Sequence, residues 1–386
     1  MDPLEWMNDE LSALDAQGLR RTRTVREGPQ AVRIRVGGKE FLNFSSNDYL
    51  GLASDPRIQQ AVRDSVGEEG VGAGASPLVL GRGQAQRRLE EEIAAFEGTP
   101  AAMIFPSGFA ANLGTIAALV GPGDCVFGDK LNHASMIDGC RLSGARFRAY
   151  RHADMDRLES LLKKSSDSRR RLIVTDGLFS MDGDFAPLRA AADLAQRYDA
   201  MLLVDEAHAT GVLGAAGRGT AELLGVEEHV HVRVGTLSKA LGCVGGFVAG
   251  SQALIDWLVN RARSWVFSTA LPGVNCVAAE TALRIVREEP ERRKRLIDRA
   301  SQLRTALVER GWNIGGSQSQ IIPVVVGESE RATRLAERLK SRGIWAPSIR
   351  PPSVPPRGAR VRLSVRADHT EEMIDAAASA MGRAED

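Results

Sequence analysis

An α/β fold, with a mostly parallel central sheet covered by helices on both faces, is predicted by three observations. Short apolar runs recur at Ala101–Phe105, Cys125–Phe127, Leu172–Thr175, Met201–Val204, Val230–Val234 and Gly246–Ala249. They are apolar throughout instead of alternating, the pattern of strands buried on both faces. Between them lie amphipathic stretches long enough for crossover helices, and no period of a repeat protein interrupts the alternation.

The elements follow in order. Trp6–Ala16 has the spacing of an amphipathic helix, and Arg33–Val36 and Glu40–Asn43 alternate about Gly37-Gly38 as a hairpin, together an N-terminal arm over residues 1–45. Asp55-Pro56 supplies a cap and a first-turn proline for a helix over Arg57–Val66. Leu89, Ile93 and Phe96 form one apolar stripe, stopped by Gly98. Ser107-Gly108-Phe109 leads from the first sheet strand into a helix over Ala110–Val120. The strand and helix alternation continues to about residue 287, giving a large domain over 46–287. Charge density then rises through Glu288-Glu289-Pro290-Glu291-Arg292-Arg293-Lys294-Arg295, and a helix, Ile321–Val326, another helix, Ile344–Pro347 and Val361–Val365 follow as a smaller C-terminal α/β lobe over 288–386. A chain of 386 residues is too long for one core, which supports more than one lobe.

Composition narrows the function. With 50 basic against 49 acidic side chains the net charge is +1, so no global field draws nucleic acid or an anionic membrane, and Arg169-Arg170-Arg171 reads as a solvated strand entrance. The start Met1-Asp2-Pro3-Leu4-Glu5-Trp6 has no basic, apolar leader pattern, and no apolar run nears the ~18 residues of a membrane helix, so a cytoplasmic protein is expected. Cys125, Cys140, Cys243 and Cys276 are scattered, without metal-site spacing; neither disulfides nor a metal is expected.

The chemistry concentrates at strand ends. Lys239, in Gly235-Thr236-Leu237-Ser238-Lys239, is an amine in a small-residue, hydroxyl-bearing loop after an apolar strand, placed to form an imine. Asp205, in Val204-Asp205-Glu206-Ala207-His208, ends another buried strand, where a carboxylate needs a cation or donor. The pairing suggests pyridoxal 5'-phosphate, whose protonated ring nitrogen is that cation. The Ser107–Asn112 loop offers backbone N–H groups and a positive helix end for its phosphate, with hydroxyls from Thr236 and Ser238. His208 is spaced to meet a ring substituent or to cap the turn before Gly211. His133 opens a helix after the Cys125–Phe127 strand, where it would lie against a ring, act as acid and base, or simply cap. Ser180, in Ser180-Met181-Asp182-Gly183-Asp184, would donate to the cofactor or serve only its turn.

Five segments in order carry a resemblance: Ser45-Ser46-Asn47-Asp48-Tyr49-Leu50-Gly51-Leu52, Asn132-His133-Ala134-Ser135-Met136-Ile137-Asp138-Gly139, Asp182-Gly183-Asp184-Phe185-Ala186-Pro187-Leu188, Asp205-Glu206-Ala207-His208-Ala209-Thr210-Gly211 and Thr236-Leu237-Ser238-Lys239. The chain resembles the α-oxoamine synthases, fold-type-I pyridoxal-phosphate enzymes that condense an amino acid with an acyl thioester and decarboxylate it. The resemblance covers nearly the whole chain. It implies that Lys239 holds the cofactor covalently, that Asp205 meets its ring nitrogen and His208 its phenolic oxygen, and that His133 stacks on the ring and reaches substrate. It adds Gly108, Phe109, Ser180 and Thr236 as cofactor contacts. Asn47 and Arg350 are implied for the amino-acid carboxylate, Arg21 for the acyl end (Arg20 being the alternative match), and Ser353 for the substrate loop. Ser268-Thr269 resembles a segment reaching a neighbouring subunit's phosphate, so a homodimer with its site near the interface is expected.

Arg350-Pro351-Pro352-Ser353-Val354-Pro355, with Arg360-Val361-Arg362-Leu363, is most similar to the branch that joins L-alanine to a pimeloyl thioester on CoA or a carrier protein. Two residues depart from that branch: Ser353 stands where threonine is usual, and Pro77 where many relatives have arginine. The alternatives are the branch using glycine with acetyl-CoA, and a catalytically silent partner subunit, against which Lys239 argues. A dinucleotide-binding fold lacks its glycine fingerprint.

Overall fold

The computed structural model describes residues 2–384, which divide by packing into two units. The larger comprises 47–180 and 184–295; the smaller comprises the chain to Ser46, residues 181–183 and the chain from Leu296 onward.

The larger unit is built on a seven-stranded sheet in the order Ala101–Phe105, Gly246–Gly250, Val232–Thr236, Met201–Asp205, Arg171–Asp176, Cys125–Asp129, Arg146–Tyr150. Only Gly246–Gly250 runs against the others. Six of these strands match the apolar runs, with the Val230 run starting its ladder at Val232 after the short turn Glu227–His229. The seventh, Arg146–Tyr150, sits at an edge with arginines facing water, and so lacks the apolar run that marks the others. Neighbouring residues of one strand feed opposite faces. Leu203 joins Phe105, Ile116, Met136 and Trp265 on one side, whereas Leu202 and Val204 join Phe127, Leu158 and Leu188 on the other. Each such aliphatic side chain, fully buried, stabilises the fold by about 1.5–3 kcal/mol, so both faces anchor the strand ends firmly.

Helix ends follow the sequence chemistry. Asp55 caps Pro56–Glu69 by accepting from Arg57 N at 3.0 Å, and its carboxylate also pairs with Arg57 at 2.8 Å and Arg292 at 3.2 Å. Gln84–Glu97 buries Leu89, Ile93 and Phe96 and ends at Gly98, whose φ of 66° is the left-handed conformation that glycine adopts without strain.

In the smaller unit, Arg33–Val36 and Lys39–Asn43 form the hairpin, with Gly37 and Gly38 both left-handed as a two-residue turn requires. Ile344–Trp345 adds to it as a parallel third strand. The stretch read as one strand over Ile344–Pro347 instead ends at Trp345, and Ser348–Ile349 joins a second sheet with Ala359–Ser364 and Ile321–Gly327. Strand pairing thus groups the N-terminal hairpin with the C-terminal part of the chain. The packing boundaries fall after Ser46 and Arg295, the latter within the long helix Pro290–Glu309. Trp6–Ala16 is helical, yet it buries none of its residues and leaves Trp6, Met7, Leu11 and Leu14 exposed. Among the described residues, no helix is long and apolar enough to cross a membrane, and no cluster of His, Cys, Asp and Glu is arranged to hold a metal ion. All four cysteines are free thiols.

Candidate active site

The carboxyl ends of the parallel strands deliver their residues to one cavity of about 220 Å³ in the larger unit. Ser107, Gly108 and Phe109 follow the Ala101 strand, His133 the Cys125 strand, Asp205 and His208 the Met201 strand, and Thr236, Ser238 and Lys239 the Val232 strand. This is the edge where open α/β sheets bind ligands, since the loops there are free of the sheet's hydrogen bonding.

Asp205 is buried and held from two sides. Its Oδ1 accepts from Ala207 N at 2.8 Å, and its Oδ2 accepts from Asn112 Nδ2 at 2.6 Å. The next residue, Glu206, is turned away from the cavity and bound by Thr220 N, Thr220 Oγ1 and Ala221 N at 2.6 to 2.8 Å, which locks the strand end. Asp176, at the end of the adjacent strand, accepts from His133 N at 2.8 Å. Burial, and then the neighbouring Asp205, push the Asp176 carboxyl well above its usual range.

His133 caps the helix Ala134–Leu142 through Nδ1, which accepts from Ser135 N at 3.3 Å and lies 2.8 Å from Ser135 Oγ. Burial lowers its pKa; Asp205 opposes that shift and Lys239 adds to it. Phe109, half-exposed, sets its ring edge-on to the His133 ring at 6.4 Å between centroids. His208 Nδ1 is 2.7 Å from the hydroxyl of the fully buried Tyr49, which donates to Asn47 Oδ1 at 3.2 Å. Tyr49 therefore ties Asn47 to His208.

The opposite wall is mainly backbone. Ser107 Oγ accepts from Ala110 N at 3.1 Å and caps Gly108–Leu119, so the positive helix end faces the cavity. A Cβ on Gly246 would lie 2.4 Å from Gly108 N, so the reversed strand touches the loop backbone directly. Thr236 Oγ1 and Ser238 Oγ both donate to Gly245 O, at 2.9 and 3.1 Å, which brings the strand-end hydroxyls beside the helix start.

Eight of the expected residues thus share this cavity: Gly108, Phe109, His133, Asp205, His208, Thr236, Ser238 and Lys239. Ser180, Ser268 and Thr269 do not line it. Arg21, Arg350 and Ser353 belong to the smaller unit, where they line a cavity of about 710 Å³ with Arg20 and Arg26. There Arg21 Nη2 donates to Ser353 Oγ at 3.1 Å, Arg350 donates to the Gly18 carbonyl, and Arg20 pairs with Asp15 at 2.5 Å. Sequence reasoning assigned no role to Asn112, Ser135, Tyr49 or Asp176. Asn112 carried a usable signal, since it lies one helical turn beyond Gly108 and so on the same face.

The residues present fit pyridoxal phosphate. The buried Asp205 carboxylate, facing the cavity, is suited to one cationic N–H. Asn112 Oδ1, buried without a hydrogen-bond partner, marks polar capacity that the protein alone leaves unused. The capped helix start with a side-chain-free Gly108, flanked by Thr236 and Ser238, suits a phosphate, and Lys239 supplies the amine.

Comparison with known proteins agrees. Residues 39–381 match the family model for aminotransferase class I and II. An 8-amino-7-oxononanoate synthase from Anaeromyxobacter dehalogenans (strain 2CP-1) is 48% identical over 372 residues, covering 96% of this chain and 93% of its own. A serine palmitoyltransferase variant from S. paucimobilis, solved with a bound PLP–myriocin aldimine, superposes with a TM-score of 0.94 at 30% identity, covering 99% of this chain and 98% of its own. An 8-amino-7-oxononanoate synthase from Francisella tularensis gives a TM-score of 0.77 at 29% identity over 88% of this chain and 96% of its own.

Proposed function

The chain belongs to the aminotransferase class I and II family, and within it we propose a pyridoxal-phosphate-dependent acyltransferase that condenses L-alanine with a pimeloyl thioester. The products are 8-amino-7-oxononanoate, carbon dioxide and the free thiol of CoA or a carrier protein. The observation that carries the cofactor chemistry is the Asp205 carboxylate, buried and fixed by Asn112 in one cavity with Lys239. The choice of substrates follows the 48% identity over nearly the full chain, against 30% for the palmitoyltransferase of similar fold.

When bound, the cofactor supplies an electron sink for the carbanion formed at the amino acid's Cα. Asp205 holds the ring N–H and keeps it positive; a neutral partner would not stabilise that charge. The Lys239 amine would hold the cofactor, and its Nζ is the base that would take the Cα proton of the amino acid. Gly108, Phe109 and Thr236 would hold the cofactor's polar groups and ring, and His208, set by Tyr49, would meet its phenolic oxygen; Ser180, expected from the family pattern, lies outside the cavity lining. His133 covers the ring and faces the reacting carbonyl. Asn47 serves the amino-acid carboxylate. In the smaller unit, Arg350 and Arg21 give their cavity a cationic lining suited to a carboxylate-bearing substrate, and Ser353 adds a hydroxyl that accepts from Arg21.

We also infer a cytoplasmic homodimer. The turn Pro77–Val79 and the segment around Ser268-Thr269 lie together, Ala270 N donating to Ala75 O at 3.0 Å. Leu78, Val79, Leu80 and Phe267 are exposed there, 53% to 96% for the first three and 71% for Phe267, an apolar patch suited to a second copy. Sedimentation of the purified protein as a monomer would remove this inference.

The test of the activity is a spectral titration with L-alanine, glycine and L-serine, each followed by pimeloyl-CoA, a pimeloyl carrier protein or acetyl-CoA, with products identified by mass. Product from L-alanine and a pimeloyl donor is expected, and Lys239→Ala should remove both turnover and the visible colour of the bound cofactor. Turnover confined to glycine with acetyl-CoA would replace the proposed substrates, and turnover retained in Lys239→Ala would remove the assigned role of the lysine.

A further inference from the structure

The two nitrogens of the His133 ring are chemically distinct, and the hydrogen bonds around them decide which carries the proton. The Ser135 backbone N–H points at Nδ1 from 3.3 Å, and an amide N–H only donates, so Nδ1 presents its lone pair. The Ser135 hydroxyl lies 2.8 Å from the same nitrogen. Its direction is set from the far side, because Asn112 Nδ2 donates to Ser135 Oγ at 3.0 Å and to Asp205 Oδ2 at 2.6 Å. Turning the Asn112 amide over would bring its oxygen against the Asp205 carboxylate, acceptor against acceptor, so the amide orientation is fixed by Asp205. With Oγ occupied as an acceptor, the Ser135 hydroxyl hydrogen is available for Nδ1. Donation therefore runs one way, from Asn112 to Ser135 to His133.

We propose that Asn112 and Ser135 are positioning residues that hold neutral His133 in the tautomer protonated on Nε2, so that it offers the substrate an N–H donor and not a base. Two further features point the same way. His133 caps the start of Ala134–Leu142, where the partial positive charge of the helix end disfavours an imidazolium, and its burial lowers its pKa against the opposing charge of Asp205. The assignment divides the labour of the site. Proton removal falls to Lys239, and His133 polarises an oxygen of the acyl donor or keto product. That substrate contact rests on the proposed function; the tautomer does not.

The test is a long-range ¹H–¹⁵N correlation spectrum of ¹⁵N-histidine-labelled protein at neutral pH, with and without pyridoxal phosphate. There are only six histidines, and His133→Gln identifies the signal by its loss. The expected pattern is a protonated Nε2 and an Nδ1 shifted as a hydrogen-bonded lone-pair acceptor. An Nδ1–H tautomer or an imidazolium would overturn the proposal, and the tautomer itself is read in the wild-type protein. Ser135→Ala should then move the tautomer ratio toward Nδ1–H by roughly three- to ten-fold, the range for one lost hydrogen bond. It should lower kcat with little change in the KM for the amino acid, while Ser135→Thr, which keeps the hydroxyl, restores both. An unchanged tautomer ratio in Ser135→Ala would remove Ser135 and Asn112 from the role. If wild-type protein shows the Nε2–H tautomer but no condensation of L-alanine with a pimeloyl donor, the proposed function fails and the tautomer stands.

Discussion

Replacing His152 with glutamine should make the protein's stability less sensitive to alkaline pH, and the structure sets the size of the effect. His152 lies between two carboxylates, with Nδ1 3.1 Å from Asp129 Oδ2 and Nε2 2.8 Å from Asp184 Oδ2, while its ring packs edge-on against Phe179. Hydrogen bonds to Asp129 and then Asp184 raise its pKa from 6.5 to about 10, despite burial. At ~1.4 kcal/mol per unit the full shift corresponds to about 5 kcal/mol. With 26% of its side chain exposed, water screens part of that, and we expect about 2–3 kcal/mol. Because the folded pKa lies above the unfolded one, this contribution is complete below about pH 6.5 and disappears as pH rises through about 10. Glutamine approximates the shape but can neither carry the charge nor donate to both carboxylates. Thermal melts of the cofactor-free proteins, compared at matched pH, avoid stabilisation by ligand. Wild type should melt higher by about 4–10 °C near pH 6.5, with the gap closing toward pH 10. A gap of the same size at both pH values would show that the ring acts by packing alone and would refute the ionic argument.

Three other outcomes are expected. Asp205→Asn keeps the shape but loses the charge proposed to face the ring nitrogen, and should lower kcat about 10²–10³-fold in steady-state assays; a loss under about three-fold would contradict the assignment. Tyr49→Phe deletes the hydroxyl 2.7 Å from His208 Nδ1 and should cost about 1–2 kcal/mol in kcat/KM with the fold's melting temperature little altered. Asp55→Ala should destabilise the protein by about 1–2 kcal/mol at neutral pH through loss of the cap and its arginine pairs, while Asp55→Asn keeps the cap and loses only the pairs. Arg57 holds the Asp55 carboxyl below its ordinary range, so the charge-dependent part should be present above about pH 4 and fade as pH falls further, measured by denaturant midpoints.

The features legible in the sequence were those set by local rules. Asp55-Pro56, Gly98 and Gly37-Gly38 declare their caps and turn because each requires a particular backbone conformation. The six buried strands declare themselves because burial on both faces leaves no polar alternation. Lys239 and Asp205 were visible because their charge is anomalous beside apolar strands. The edge strand Arg146–Tyr150 was not legible, since its outward arginines erase the apolar signal. Nor were the partners of Asn112, Ser135 and Tyr49: what matters is which atom meets which across 23, 93 and 159 positions of chain, even where, as for Asn112, helical spacing places the residue on the right face. His152 was hidden for the same reason, its two partners arriving from a strand end, Asp129, and a distant loop, Asp184.

The contact between Gly246 and the Gly108 backbone bears on how this site can be altered in the laboratory. Where two main chains touch, there is no side chain to exchange, and a methyl added at Gly246 would fall within 2.6 Å of three backbone atoms. A mutagenesis library randomised at Gly246 would therefore return mostly collapsed sites rather than new selectivities. The productive positions lie on the other walls, where side chains such as Phe109 face open space and can be exchanged one at a time. Substrate range in this scaffold is then a property to be evolved around a fixed backbone wall, with Gly108 and Gly246 held constant in any design.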